Sequence, residues 1–265
     1  MRVEDGLGRR VELPAPPRRV VSLVPSLTEL LAALGLDEEV VGLTTFCVRP
    51  PGWRARKTRV GGTKDVRLAR VRSLAPDLVL ANKEENQREQ VLRIAAERPV
   101  YVSDVGSLEA ALAMVRAVGV LVGRAARADA LAGKIEAGFA ALDSRPRRRV
   151  AYLIWRDPLM AVGGDTFISD VLARGGLRNV FAERSRYPTI DLEALRRAAP
   201  EQVLLSSEPF PFRERHRQEF VEALPGVSVD LVDGQLFSWY GSRLLETPAA
   251  LRRLTDAGFS ASGRG

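Results

Sequence analysis

From residue 19 the chain alternates short β-branched runs with segments of helical period. Residues 19–24 predict a strand, and Pro25 ends it. Ser26-Leu27-Thr28-Glu29 then has the form of a capping box, with Ser26 accepting from the amide three residues on and Glu29 reaching back. Leu27, Leu30, Leu31 and Leu34 supply one helical face, which Gly35 stops. The same periodicities predict strands at 39–43, 77–81 and 99–102 and helices at 68–74 and 87–96. Strands alternating with helices imply parallel pairing.

The rhythm breaks between 107 and 143, which hold no proline and no strand signal. Apolar residues at 108, 112, 115, 118 and 122, then at 131, 135, 139 and 142, mark a single helical face. Read as one helix, this segment would span ~50 Å and act as a strut between two lobes. Glycines at 119, 123, 133 and 138 weaken it locally. Alternation then resumes: strands at 150–155, 202–205 and 227–232, helices at 167–174, 192–198, 214–223 and 248–257. The division predicted is an N-terminal α/β lobe over 1–106, a connecting helix over 107–143 and a C-terminal α/β lobe over 144–265.

The second half echoes the first. Residues 68–80 align on 192–204, and both read helix, Ala-Pro-acid, strand. At the same offset Glu84 falls on Glu208, just past each strand. The fold class predicted is α/β, two Rossmann-like lobes with parallel sheets joined by a long helix. A ligand cleft is expected between the lobes, because ligands in open α/β sheets bind beyond the carboxyl ends of strands.

Composition changes this picture little. The 265 residues are 46% hydrophobic and 28% charged, ordinary values for a globular chain. No apolar run reaches the ~18 residues of a membrane span. The net charge of +7 comes almost wholly from arginine. Its basic residues are scattered without an aromatic ladder, so no nucleic-acid partner is expected. The run Arg145-Pro146-Arg147-Arg148-Arg149 reads as a solvated linker. A single cysteine, Cys47, rules out an intrachain disulfide.

No nucleophile elbow, phosphate-cradling loop, dinucleotide fingerprint or zinc-protease motif occurs, and no catalysis is expected. The one histidine, His216, forms no histidine cluster. Cys47 and His216 remain candidates for a metal, and less so for a nucleophile and its base. Strand-end segments are richer. In the first half the candidate ligand contacts are Pro25 and Ser26 at a helix N-terminus, Thr45 and Phe46, Gly62, Thr63 and Lys64, and Glu84. In the second they are Trp155, Phe167, Tyr187, Glu208, Phe210, Trp239 and Tyr240. Aromatics make up only 6% of the chain, yet many sit beside Pro or Gly in these loops, where a ring can stack on a planar ligand.

The segments 8–14 and 18–29, with the repeated helix-Ala-Pro-acid-strand unit and the mid-chain helix, resemble the helical-backbone (class III) periplasmic solute-binding proteins of ABC importers. The vitamin B12 branch is the most similar, through Pro25, Gly61-Gly62, 164–167 and the Trp239 loop. The resemblance implies a monomer that binds cobalamin, another corrinoid or a similar bulky metal chelate, with iron-siderophore, haem or direct metal-ion binding as the alternative. It also implies an ABC permease partner, docked through a glutamate on each lobe. Glu193 matches the second of these positions, and Ala69 replaces the first. The family is extracytoplasmic; the chain as given opens without a leader, and a cytoplasmic binder working without a permease is the expectation only if this sequence is complete. Both localisations stay open.

Overall fold

The computed structural model of the protein describes residues 1–142 and 148–256. These fall into two compact units, one of Met1–Val105, Glu109–Glu136 and Trp239–Arg243, the other of Gly106–Leu108 and the described residues of 137–238 and 244–256.

In the first unit β1 (Arg2–Glu4) and β2 (Arg10–Glu12) pair as an antiparallel ribbon. Next come β3 (Val20–Ser22), α1 (Pro25–Ala33), β4 (Val40–Leu43), α2 (Trp53–Arg56), β5 (Thr58–Arg59), α3 (Leu68–Ser73), β6 (Leu78–Asn82), α4 (Arg88–Ala95) and β7 (Val100–Ser103). These strands form a parallel sheet in the order β5-β4-β3-β6-β7. Every residue of β3, β6 and β7 is buried, as parallel strands covered on both faces must be.

The expected long helix is instead two, α5 (Leu108–Leu121) and α6 (Ala125–Ala140). Gly123 stops the first at φ +68°; its amide donates to Val120 O and the Arg124 amide to Gly119 O, a Schellman motif. The chain then doubles back. Gly119 and Ala128 would lie ~13.5 Å apart along one straight helix, yet a Cβ on Gly119 would sit 2.1 Å from the Ala128 Cβ. Arg116 spans the hairpin to Asp129 and Glu136 at 3.5 and 3.6 Å. The last turn of α6, from Ala137, belongs to the second unit.

In that second unit β8 (Arg148–Arg156) and β9 (Leu159–Ala161) make an antiparallel hairpin. Then come α7 (Phe167–Arg174), β10 (Leu177–Asn179), α8 (Leu192–Arg197), β11 (Gln202–Ser206), α9 (Glu214–Ala223), β12 (Ser228–Val232), α10 (Gln235–Ser238) and α11 (Thr247–Asp256). The parallel order is β10-β8-β11-β12. Ala151 and Leu153 of β8 join Val203, Leu205, Phe212 and Phe220 in one core. The alternate residue Tyr152 is also fully buried and packs on Phe237, with ring centroids 5.5 Å apart.

The internal echo extends to atomic detail. Ala75 and Ala199 both take positive φ, 42° and 45°, where α3 and α8 give way to strands. Asp77 accepts the amides of Arg18 and Arg19 at 2.9 Å, and Glu201 accepts that of Arg149 at 2.7 Å. The side chains of Arg19 and Arg149 donate to Leu74 O and Ala198 O. Arg148 and Arg149 thus belong to a strand rather than a linker; the rest of that basic run, 145–147, lies outside the described residues, as does Ala257 of the last predicted helix.

Helix propensity favours Gly119→Ala by ~1 kcal/mol. The Ala128 contact reverses the sign, and we expect a loss of about 1–3 kcal/mol, read as a lower urea midpoint.

Candidate functional site

In each unit the parallel strands deliver their carboxyl ends, and the loops beyond them, to one edge of the sheet. At this edge of the first unit Asn86 ties three loops. Its Nδ2 donates to Leu23 O at 3.3 Å and Thr63 O at 3.0 Å, and its Oδ1 accepts the Asn82 amide at 2.8 Å. Asn82 in turn accepts the amides of Glu84 and Glu85 and donates to Ser103. Both asparagines are buried. Neither stands among the sequence-predicted site residues, although Asn at either end of a charged loop is a usable turn signal.

Thr45 is fixed by its amide donating to Gly61 O at 2.8 Å. Gly61 adopts φ +109° and Gly62 lies under the Phe46 ring, where a Cβ would be 3.2 Å from the ring edge. Phe46 is 60% exposed above it. Lys64 Nζ donates to Glu84 O, so Gly62, Thr63, Lys64 and Glu84 form one continuous rim.

The first turn of α1 departs from expectation. Pro25 takes the first helical position, so Val24 is the N-cap and Ser26 lies inside the helix. The capping box does not form. Glu29 instead meets Arg243, 214 residues on, through both guanidinium and carboxylate, in a pair 7% and 16% exposed. Ser26 Oγ is buried with no hydrogen-bond partner.

In the second unit Trp155, 38% exposed, meets Phe210 edge-to-face at 5.8 Å. Phe210 packs on Phe212 at 4.8 Å and on His216 at 5.3 Å. Trp155 Nε1 donates to Asp157 O, which fixes the indole plane. Gly163 and Gly164 serve a backbone neighbour: their amides donate to Arg186 O and Arg184 O, and a Cβ on either would collide with a carbonyl oxygen. They clamp the loop bearing Tyr187, over whose ring the Arg186 guanidinium lies at 5.6 Å. Thr166 caps α7, and Phe167 is buried. Glu208 accepts from Ser238 Oγ at 2.7 Å. Trp239 and Tyr240, expected to face a ligand, are 7% and 8% exposed, and the Trp239–Arg243 segment belongs to the first unit.

Cys47 and His216 belong to different units. Cys47 Sγ lies 3.0 Å from Thr28 Oγ1 and 3.2 Å from Thr44 Oγ1, and burial raises its pKa above the usual thiol value despite these contacts. His216 caps α9: its Nδ1 accepts the Arg213 amide at 3.0 Å. Its Nε2 lies 3.1 Å from Arg215 Nε, but a neutral ring has a single acceptor nitrogen, so with Nδ1 accepting, this second approach is a contact between two N–H groups. Among the described residues no three His, Cys, Asp or Glu side chains gather as a metal site.

Glu193 is exposed at the start of α8 and pairs with Arg197 at 3.2 Å. Ala69 is likewise exposed on α3, between Arg67 and Arg70. Among the described residues no helix is long and apolar enough to cross a membrane.

The profile of the periplasmic binding protein family matches residues 20–228, and the chain belongs to that family. It is thus a substrate-binding protein of the ABC-importer kind. It is 25% identical over 258 residues to an ABC transporter substrate-binding lipoprotein of Bacillus subtilis, covering 92% of this chain and 82% of the relative. It is also 25% identical over 240 residues to the vitamin B12-binding protein of Pectobacterium carotovorum, covering 87% and 86%. The periplasmic heme-binding protein RhuT from Roseiflexus superposes with a TM-score of 0.75 at 25% identity, over 92% of this chain and 98% of that one.

Desolvation, then the nearby Arg215 charge, lowers the His216 pKa; Arg156 and Arg213 act the same way and Glu219 opposes. The neutral ring therefore supports the fold fully above the ordinary value of 6.5, and that support is lost as pH falls below it. In His216→Gln the amide oxygen keeps the cap without titrating. The urea midpoint of this variant should fall less than the parent's between roughly pH 7 and 5.

Proposed function

We propose that this protein captures cobalamin or a related corrinoid with the strand-end loops of its units and presents it to an ABC permease, itself performing no chemistry. The observation that carries the reading is the exposed ring of Trp155 backed by the half-buried Phe210, with the exposed Phe46 over Gly62 in the first unit. A corrin is broad, largely apolar on its faces and ringed with amides. It calls for flat aromatic contact and a few donors, here Lys64 and Thr63. The vitamin B12-binding relatives support the same ligand class. Pro25, Thr45, Gly62, Glu84, Tyr187 and Glu208 shape the rim. Phe167, Trp239 and Tyr240 act behind it as packing. Glu193 is the docking contact we assign on the second unit.

A second reading, haem or a ferric siderophore, is favoured by Tyr187. A phenol oxygen is a hard donor suited to ferric iron, and Arg186 lies over its ring.

Calorimetric titration with cyanocobalamin, and in parallel with haemin, separates these readings. Micromolar or tighter cyanocobalamin binding is expected. Trp155→Ala and Phe46→Ala should each weaken it by roughly 10–30-fold, while Tyr187→Phe leaves it intact. Absence of binding by the folded protein overturns the corrinoid assignment. Haemin binding abolished by Tyr187→Phe establishes the second reading instead.

A further inference from the structure

The internal echo continues past the matched strands, to the residues that support the exposed rings. At the offset that lays residues 68–80 on 192–204, Asn82 falls on Ser206, Glu84 on Glu208 and Asn86 on Phe210. Asn82 and Ser206 are the last residues of β6 and β11. Each side chain accepts the amide two residues on, from Glu84 at 2.9 Å and from Glu208 at 3.3 Å. The two loops therefore leave their strands through the same kind of turn. Four residues past each strand, Asn86 and Phe210 both reach back to the neighbouring strand. The Asn86 side chain donates to Leu23 O, one residue beyond β3, and the Phe210 amide donates to Ile154 O in β8.

Phe210 backs Trp155, the exposed ring of the second unit. Asn86 has no ring to offer and instead ties the loop on which Phe46 rests. Its second N–H holds Thr63 O at 3.0 Å. Gln90, in the first turn of α4, holds the far end of that loop by accepting the Val66 amide at 3.1 Å. Within the loop, Gly61 O takes the amide and hydroxyl of Thr45 at 2.8 and 3.3 Å, and Gly62 lies against the Phe46 ring. Both N–H groups and the oxygen of the buried Asn86 are thus spent on main-chain atoms at this one sheet edge.

We propose that Asn86 is the positioning residue for ligand binding in the first unit, holding Phe46 in place through Thr63 as Phe210 holds Trp155 directly. The inference rests on the ligand-capture reading given above. Asn86 is 5% exposed, so it acts through the ring and its loop, not on the ligand. A ring on a fixed loop binds a rigid ligand with little left to order. A loop whose buried carbonyls have lost their donors does not stay fixed.

Asn86→Asp tests this in the full chain. It keeps the side-chain shape and the acceptor for the Asn82 amide but turns an oxygen toward Leu23 O and Thr63 O. Cyanocobalamin titration should show about 10-fold weaker binding. That loss should vanish in a Phe46→Ala background, where no ring remains to be positioned, and persist beside Trp155→Ala in the other unit. Amide hydrogen exchange of the ligand-free protein reads the same loops independently. Thr45 and Gly62, whose amides donate to Gly61 O and Asp65 O, should exchange about 10-fold faster in the variant, with Gly163 and Gly164 unchanged. Asn86→Ser, shorter and uncharged, should behave alike and replaces the aspartate variant if that one does not fold. Parent-like affinity, a loss that adds fully to that of Phe46→Ala, unchanged exchange at Thr45 and Gly62, or faster exchange in both units alike overturns the proposal. If the parent binds no cyanocobalamin, the corrinoid assignment falls, and the exchange pattern alone decides whether Asn86 positions the ring.

Discussion

A parallel strand covered on both faces is apolar along its middle, and the buried polar residues of β6 and β11, Asn82, Gln202 and Ser206, stand at strand ends. That constraint organises each unit. β6 and β11 are buried at every position, so recognition chemistry is confined to the loops beyond their last residues. The same sheet directionality gathers several such loops at one edge. A ligand surface therefore arises from the topology before any particular residue is chosen.

Loops at such an edge must be held without a sheet or helix of their own, and the two units hold them differently. In the first, side-chain amides do it: Asn82 and Asn86 replace the missing backbone partners of three loops. In the second, glycines bring backbone to backbone, and Gly163 and Gly164 make hydrogen bonds to carbonyls no side chain would allow so near. The first device fixes the Gly62–Thr63 loop beneath Phe46 and the second the loop bearing Tyr187, while Trp155 is held by its own bond to Asp157 O; fixed footings lower the ordering cost of binding a rigid ligand.

Duplicated architecture does not bring duplicated surfaces. α3 and α8 share their Ala-Pro-acid exits, their positive-φ alanines and their carboxylate caps on neighbouring strands. Those features are internal, and changing them would cost the fold. The outward residues are under no such demand. One helix carries Glu193 and the other stands among arginines, an asymmetry suited to a protein that meets its surroundings in one orientation.

Sequence period alone determined the alternating elements, down to the bounds of α7 and α9, because burial of one face dictates the spacing of apolar residues. The short β1, β2, β9 and β10 carry too few residues for a period to register. The break between α5 and α6 was visible only as Gly123, since apolar spacing persists on both sides of a turn whose far arm packs on the near one. The strand-end candidates were legible as a set, but which rings stay exposed was not: Phe46 and Trp155 are open where Trp239 is closed. The Glu29 partner was decided wholly by tertiary structure. A local capping box competed with an arginine 214 residues away, and the nearly buried ion pair prevailed because charge–charge attraction strengthens as water is removed.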